Sequence, residues 1–155
     1  MTKQQVIGQV LNQTVRSTEF ADLYHKLRAA GLHPIVVKGQ LCSRLYPQTD
    51  HRISADDDLY IPDAEFMACH EQLLANGLTT DTPADELSTA DEVSYTKKDS
   101  PLYIELHRHL FDSSEDAHDE LNHFFTDLTP VEIDGFLAMP PHEHLLYLIL
   151  HAYKH

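Results

Sequence analysis

Apolar side chains recur along much of the chain at the spacing of one helical face. In the clearest case, Phe20, Leu23 and Leu27 lie three or four residues apart between Ser17, which can cap a helix start, and Gly31, which can end a helix. The same spacing, bounded by residues typical of helix ends, predicts helices over 6–11, 17–30, 40–46, 64–75 and 140–155.

Shorter runs rich in β-branched and aromatic residues predict strands between these helices. They cover 33–37, 57–61, 93–97 and 102–106, and 131–139 is also expected to be extended. The turn-forming residues Lys98-Asp99-Ser100-Pro101 separate two of these runs and predict a hairpin. The segment 79–92, rich in Thr, Asp and Pro, is expected to be a surface loop, and 112–122 is a polar stretch.

The composition is that of one globular domain. The chain has 155 residues, enough to bury a core, and its 42% apolar content argues against disorder. The formal net charge of −14 disfavours nucleic acid as a partner, because binding to a phosphate backbone depends on Lys and Arg. No apolar run has the character of a signal peptide or a membrane span, and Cys42 and Cys69 form no CxxC-type pair. We therefore expect a cytoplasmic protein with reduced thiols and no membrane partner.

The candidate chemistry lies in an acidic segment that leads into the second predicted strand, Asp56-Asp57-Asp58-Leu59-Tyr60-Ile61. Alternate residues of a strand share a face, so Asp56 and Asp58 are expected to point the same way. Asp57 should then face away from them, as a solvated or loop-capping residue. Two carboxylates held this close repel each other unless a cation or strong donors offset them, and a divalent metal is the obvious candidate. A chain with 25 acidic residues also contains an Asp-x-Asp by chance, so the pair alone is a weak signal.

The order of the elements resembles that of polymerase-beta-like nucleotidyltransferases. The predicted order is a strand, a Lys-Gly turn, a helix, an acidic strand, another helix and a later strand with a single acid. Within that superfamily the chain resembles an uncharacterised nucleotidyltransferase family, from about residue 20 to the C-terminus. The matching motifs are Val37-Lys38-Gly39, Tyr46-Pro47, Arg52 with Asp56-Asp57-Asp58-Leu59, Ile104-Glu105-Leu106-His107, and a Leu-rich helix with His151 and His155.

The resemblance implies an α/β (α+β) fold, in which a small mixed β-sheet is backed by helices. It also implies transfer of a nucleoside monophosphate from a nucleoside triphosphate, with ATP as the default donor, to a hydroxyl of a small molecule or a protein. Two Mg²⁺ ions about 4 Å apart serve this chemistry, and magnesium prefers hard oxygen ligands. The implied metal ligands and catalytic groups are Asp56, Asp58 and Glu105, and Glu105 is also the group expected to draw the proton from the attacking hydroxyl.

Contacts to the triphosphate are implied for a second set of residues. Gly39 allows the backbone to turn close to phosphate, and the amides near Gln40 and Leu41 can then donate to it. Lys38 and Arg52 are the implied cationic contacts. Gln40 stands where the wider superfamily usually has Ser, so no side-chain hydroxyl is available for phosphate at that position.

Residues 1–139 are expected to form the catalytic core, and 140–155 the start of a C-terminal helical region that is truncated here. The broad apolar face of this last helix suggests self-association. The alternative function is a binding or regulatory module on the same scaffold that has lost catalysis, for example a toxin–antitoxin partner. A zinc hydrolase is a third possibility, but the spacing of the histidines yields no ligand trio. His107 and His109 share the predicted strand face of Glu105, where a contact to the substrate or the metal shell is open to them.

Overall fold

The computed structural model describes residues 1–38, 56–112 and 118–154, and the predicted helix 40–46 lies outside them. The described helices are α1 (Lys3–Ala29), α2 (Asp63–Ala75), α3 (His118–Thr126) and α4 (Pro141–Lys154). The described strands are β1 (Ile35–Val36), β2 (Asp57–Tyr60), β3 (Leu78–Thr79), β4 (Glu92–Lys97), β5 (Tyr103–His107), β6 (Val131–Ile133) and β7 (Phe136–Ala138).

The seven strands of the described residues join one mixed sheet in the order β3-β4-β5-β2-β1-β7-β6. The pairs β2–β5 and β1–β7 are parallel, and the other neighbours are antiparallel. The predicted hairpin is the antiparallel pair β4–β5, in which Val93 lies opposite Leu106. This arrangement confirms the α+β class and the mixed sheet backed by helices.

Helices cover both faces of the sheet, because successive residues of a strand point to opposite sides. Val36 belongs to a large apolar cluster, to which α1 contributes Phe20, Leu23, Tyr24 and Leu27 and α2 contributes Phe66, Cys69 and Leu73. Its neighbours Ile35 and Val37 belong to a second cluster with Phe125 of α3 and Tyr147 of α4. The sheet is therefore buried between two layers of helices, and α4 packs directly on the core. Within the described ranges, no helix has the length and apolar character to cross a membrane.

The N-terminal region forms one helix of 27 residues, so the prediction of two separate helices was wrong. Thr2 starts α1 with a capping box, in which its side chain accepts from the Gln5 backbone and the Gln5 side chain accepts from Thr2. Between 9 and 29 the sequence contains neither Gly nor Pro, and the hydroxyls of Thr14 and Thr18 donate to carbonyls four residues earlier without interrupting the helix. Ser17 therefore lies inside the helix rather than at its start.

Two short elements lie in segments where no regular structure was predicted. Strand β3 covers only Leu78–Thr79, too short a run to show alternation, and it pairs with the end of β4. Helix α3 begins inside the polar stretch 112–122 and buries Phe125 as its anchor. Strand β3 is supported by its pairing with β4 rather than by local periodicity. Helix α3 is amphipathic, with Leu121 and Phe125 four residues apart on the face that packs on the core.

His144 supplies a pH-dependent contribution to the stability of this fold. It is fully buried on α4 and its Nε2–H donates to the Val37 carbonyl at 2.9 Å. Burial lowers the pKa of His144, and the hydrogen bond to Val37 only partly opposes that shift. Below the ordinary pKa of histidine, His144 binds a proton in the unfolded chain but stays neutral in the folded protein. The contribution of His144 to stability is therefore present above about pH 6.5 and is lost as the pH falls below that value.

We expect the free energy of unfolding to fall less steeply with pH in His144→Gln than in the wild type between pH 7.5 and 5. The slope from one such group is at most about 1.4 kcal/mol per pH unit. Urea denaturation at four pH values measures it. His142→Gln, at an exposed position on the same helix, should keep the wild-type slope. Equal slopes in His144→Gln and the wild type would contradict the prediction.

Candidate active site

The predicted acids of two separate strands lie side by side. In the parallel pair β2–β5, Asp58 is in register with Glu105, and in-register residues of neighbouring strands project from the same face. Atoms capable of binding a metal, one each from Asp58, Glu105 and His107, lie within 4.8 Å of one another. The sheet thus brings together two of the three predicted catalytic acids.

Asp58 is an ionised carboxylate inside the protein. Its side chain is 0% exposed, and it lies 2.8 Å from Lys38 Nζ and 3.8 Å from His107 Nε2. Burial by itself raises the pKa of Asp58, but the hydrogen bond and charge of His107 and the ammonium of Lys38 outweigh burial and hold that pKa well below its usual range. A negative charge is therefore maintained at this point of the sheet.

Glu105 shows the opposite behaviour at the same place. Burial, followed by the hydrogen bond and charge of Asp58, raises the pKa of Glu105 to about 8, with smaller contributions from the charges of Glu92 and Asp56. Without a cation the Asp58–Glu105 pair therefore retains a proton at neutral pH. Asp56 is half-buried directly before β2. Its charge contributes to the raised pKa of Glu105, which connects Asp56 to this pair.

Lys38 connects the acidic pair to the C-terminal helix. Its Nζ, which pairs with Asp58, also donates to His151 Nε2 at 2.7 Å. His151 lies near the end of α4, so this helix contributes to the surroundings of the acidic pair. The motif position of His151 predicts no partner for it, because only the fold shows that the end of α4 returns to Lys38.

Asp57 is buried and ion-paired, so its prediction as a solvated or loop-capping residue was wrong. Its side chain is 0% exposed, and Oδ2 lies 3.0 Å from Nη2 and 3.1 Å from Nε of Arg16. Arg16 is itself 4% exposed on α1. The Asp57 side chain does face away from Asp58, but it points toward α1 rather than into solvent. Nothing in the local sequence pairs these two residues.

Three of the predicted phosphate contacts, Gly39, Gln40 and Arg52, lie outside the described residues. Lys38 lies within the described residues, beside Asp58. Its contact with phosphate stays a prediction. His107 lies beside the two acids, on the strand face that its position two residues after Glu105 predicted.

A family model described as "uncharacterised nucleotidyltransferase" matches residues 2–155, nearly the whole chain. The chain belongs to this family. A search of curated proteins found no match. Membership supports nucleotidyltransferase chemistry and implies a nucleoside triphosphate donor and a divalent metal.

The side chains of this acidic cluster fit a divalent cation. Asp58 and Glu105 offer hard carboxylate oxygens from adjacent strands, which are the ligands that Mg²⁺ and Mn²⁺ prefer. Burial and the neighbouring Asp58 carboxylate raise the pKa of Glu105, so a cation at this point would favour the ionised form of Glu105. A dication between the two carboxylates would replace the retained proton and remove their repulsion.

Proposed function

We propose that this protein is a cytoplasmic, metal-dependent nucleotidyltransferase that moves a nucleoside monophosphate from a nucleoside triphosphate, ATP by default, to a hydroxyl of a small molecule or protein. The observation that carries the proposal is the in-register pairing of Asp58 with Glu105 on parallel strands, which sets two carboxylates side by side next to His107. Family membership supports the reaction class. Asp56, one residue before β2, is the proposed third acid.

The proposed reaction joins an acceptor oxygen to the α-phosphorus and breaks the bond from that phosphorus to the oxygen that bridges it to the β-phosphorus. Pyrophosphate leaves with the electron pair of that bond. Mg²⁺, when bound, supplies positive charge that stabilises the phosphates and acidifies the acceptor hydroxyl. Glu105 is the proposed acceptor of the hydroxyl proton, a role it can fill only in the ionised form that a bound cation would favour. Asp58 stays ionised and provides the fixed negative charge that holds the cation.

Lys38 is proposed to contact the triphosphate. In the structure its ammonium neutralises Asp58 at 2.8 Å and is held by His151. Lys38 Nζ, which His151 keeps oriented, would exchange the Asp58 carboxylate for a phosphate oxygen of the bound triphosphate. Gly39, Gln40 and Arg52 remain proposed phosphate contacts on the strength of the family resemblance.

Transfer is expected to depend on an added divalent metal. Incubation of the protein with a triphosphate labelled at the α-phosphate, Mg²⁺ and a cell extract should yield a labelled product and pyrophosphate, and EDTA should abolish both. Re-addition of Mg²⁺ or Mn²⁺ should restore them. Label at the γ-phosphate should not appear in the product, which distinguishes nucleotidyl from phosphoryl transfer. Product formation that persists in EDTA would contradict the metal requirement.

Exposed apolar residues on α4 favour a second candidate, a binding module that has lost catalysis. Leu145, Ile149 and Tyr153 are 51%, 56% and 92% exposed. Such a stripe suits a partner protein or a second copy of this chain. Calorimetry separates the two candidates, since the binding module predicts self-association with no heat from any triphosphate in Mg²⁺, whereas the enzyme predicts triphosphate binding.

A further inference from the structure

A second cluster of metal-ligand side chains lies outside the proposed active site. Asp91 precedes β4, His109 follows β5 and His118 begins α3. One ligand atom from each of these three residues lies within 4.8 Å of the other two. The rings of His109 and His118 meet edge to face, with centroids 5.8 Å apart.

The protonation pattern of His118 leaves a lone pair available for a metal. Its Nδ1 lies 3.0 Å from Oδ1 of Asp119, so the Nδ1–H donates to that carboxylate. A neutral imidazole that donates from Nδ1 carries its lone pair on Nε2. That Nε2 is buried and has no hydrogen-bond partner in the part of the chain that the structure describes. A carboxylate that orients a histidine through its second nitrogen is the usual companion of a metal-bound histidine.

His109 and Asp91 are in direct contact. Their Nδ1 and Oδ1 atoms are 2.6 Å apart, a hydrogen bond whose proton a metal ion would displace. The Asp91 carbonyl accepts from the backbone amides of Arg108 and His109 at 2.8 and 3.3 Å, which holds the two residues together independently of their side chains.

Contacts that involve no metal hold all three segments in place. The guanidinium of Arg108 donates to the carbonyls of Leu87, Ser88 and Ala90, which fixes the segment that leads to Asp91. On the other side, Asn122 of α3 accepts from the amides of Leu110 and Phe111 and donates to the Phe111 carbonyl. The start of α3 is thereby held against the end of β5, with His118 beside His109.

From this geometry we infer that Asp91, His109 and His118 form a Zn²⁺ site. Two imidazoles and one carboxylate suit zinc rather than magnesium, because imidazole nitrogen is a good ligand for zinc and a poor one for magnesium. Three protein ligands leave the fourth tetrahedral position to water or an exogenous ligand. Bound zinc would join the segment before β4, the end of β5 and the start of α3. The site shares no residue with Asp58, Glu105 and His107.

The test uses the full-length protein, Co²⁺ as a spectroscopic probe and Zn²⁺ as the competitor. Wild-type protein is expected to give the intense visible absorption of four-coordinate Co²⁺, and one equivalent of Zn²⁺ is expected to abolish it. His118→Asn should lose the band and bind Zn²⁺ about 100-fold more weakly or worse, whereas the loss of an orienting carboxylate in Asp119→Asn should weaken binding about 10-fold. His123→Asn, at an exposed position on the same helix, is the matched control and should bind like wild type.

The Asp58→Asn variant separates the two metal sites, because it disables the acidic cluster and should retain the Co²⁺ band. Disappearance of the band in Asp58→Asn, or equal affinity in His118→Asn and His123→Asn, would overturn the inference. Weak absorption typical of six-coordinate Co²⁺ in the wild type would also overturn it. If circular dichroism shows that His118→Asn does not fold, the Zn²⁺ affinity of Asp119→Asn, at an exposed position, becomes the test. An unchanged Zn²⁺ affinity in Asp119→Asn would then refute the site.

Discussion

Replacement of Asp58 by Asn is expected to abolish nucleotidyl transfer while the protein stays folded. Asn keeps the shape of the side chain and removes the charge that the proposed cation requires. Loss of a metal's contribution to the transition state removes several kcal/mol, which corresponds to a decrease in turnover of about 1,000-fold or more. Formation of the product that carries the labelled α-phosphate measures the effect in Mg²⁺, and circular dichroism reports the fold.

Two comparison variants make the Asp58 result specific. Glu105→Gln should reduce turnover to a similar degree, because it removes the second carboxylate and the proposed proton acceptor. Asp81→Asn changes an exposed acid in the loop after β3 and should leave turnover at the wild-type level. Normal transfer by Asp58→Asn, or an equal loss in Asp81→Asn, would refute the assignment of the acidic pair as the catalytic site.

Replacement of Arg16 by Met is expected to cause the largest loss of stability among single changes near the site. Arg16 and Asp57 are 4% and 0% exposed, and Met removes the guanidinium that neutralises the buried carboxylate. Removal of one partner of a buried ion pair destabilises a protein by about 3–5 kcal/mol, since a charge remains in a low-dielectric interior. Because Asp57 precedes Asp58, transfer should also decrease. Urea denaturation at pH 7.5 measures the change in the free energy of unfolding.

A double variant and an exposed pair on the same helix provide the controls. Arg16→Met combined with Asp57→Leu should recover much of the lost stability, because an apolar pair of similar volume replaces both charges. Lys26→Met removes one partner of the exposed pair between Lys26 and Asp22, whose side chains are 55% and 67% exposed, and should change stability by about 1 kcal/mol or less. Similar losses in Arg16→Met and Lys26→Met would contradict a special role for the buried pair.

The sequence by itself determined the elements with strong local signals, and it selected the candidate acids. Strand β2, the hairpin β4–β5 and helix α2 were predicted because their alternation, turn residues and helix ends are local properties. Asp58 and Glu105 could be selected because their order matches that of a nucleotidyltransferase core. The continuous helix α1 was not predicted, because Ser17 is a residue type that often caps a helix. Only the packing of α1 on the sheet shows that Ser17 does not cap a helix here.

Only the tertiary structure decided which partners these residues have. The register of β2 against β5 places Asp58 beside Glu105, α1 carries Arg16 to Asp57, and α4 returns His151 to Lys38. The trio of Asp91, His109 and His118, which spacing could not assemble, comes from three segments that the sheet and α3 bring together. The physical reason is that local periodicity depends on neighbours within one turn or one strand, whereas a buried charge or a metal ligand depends on groups far away in the chain.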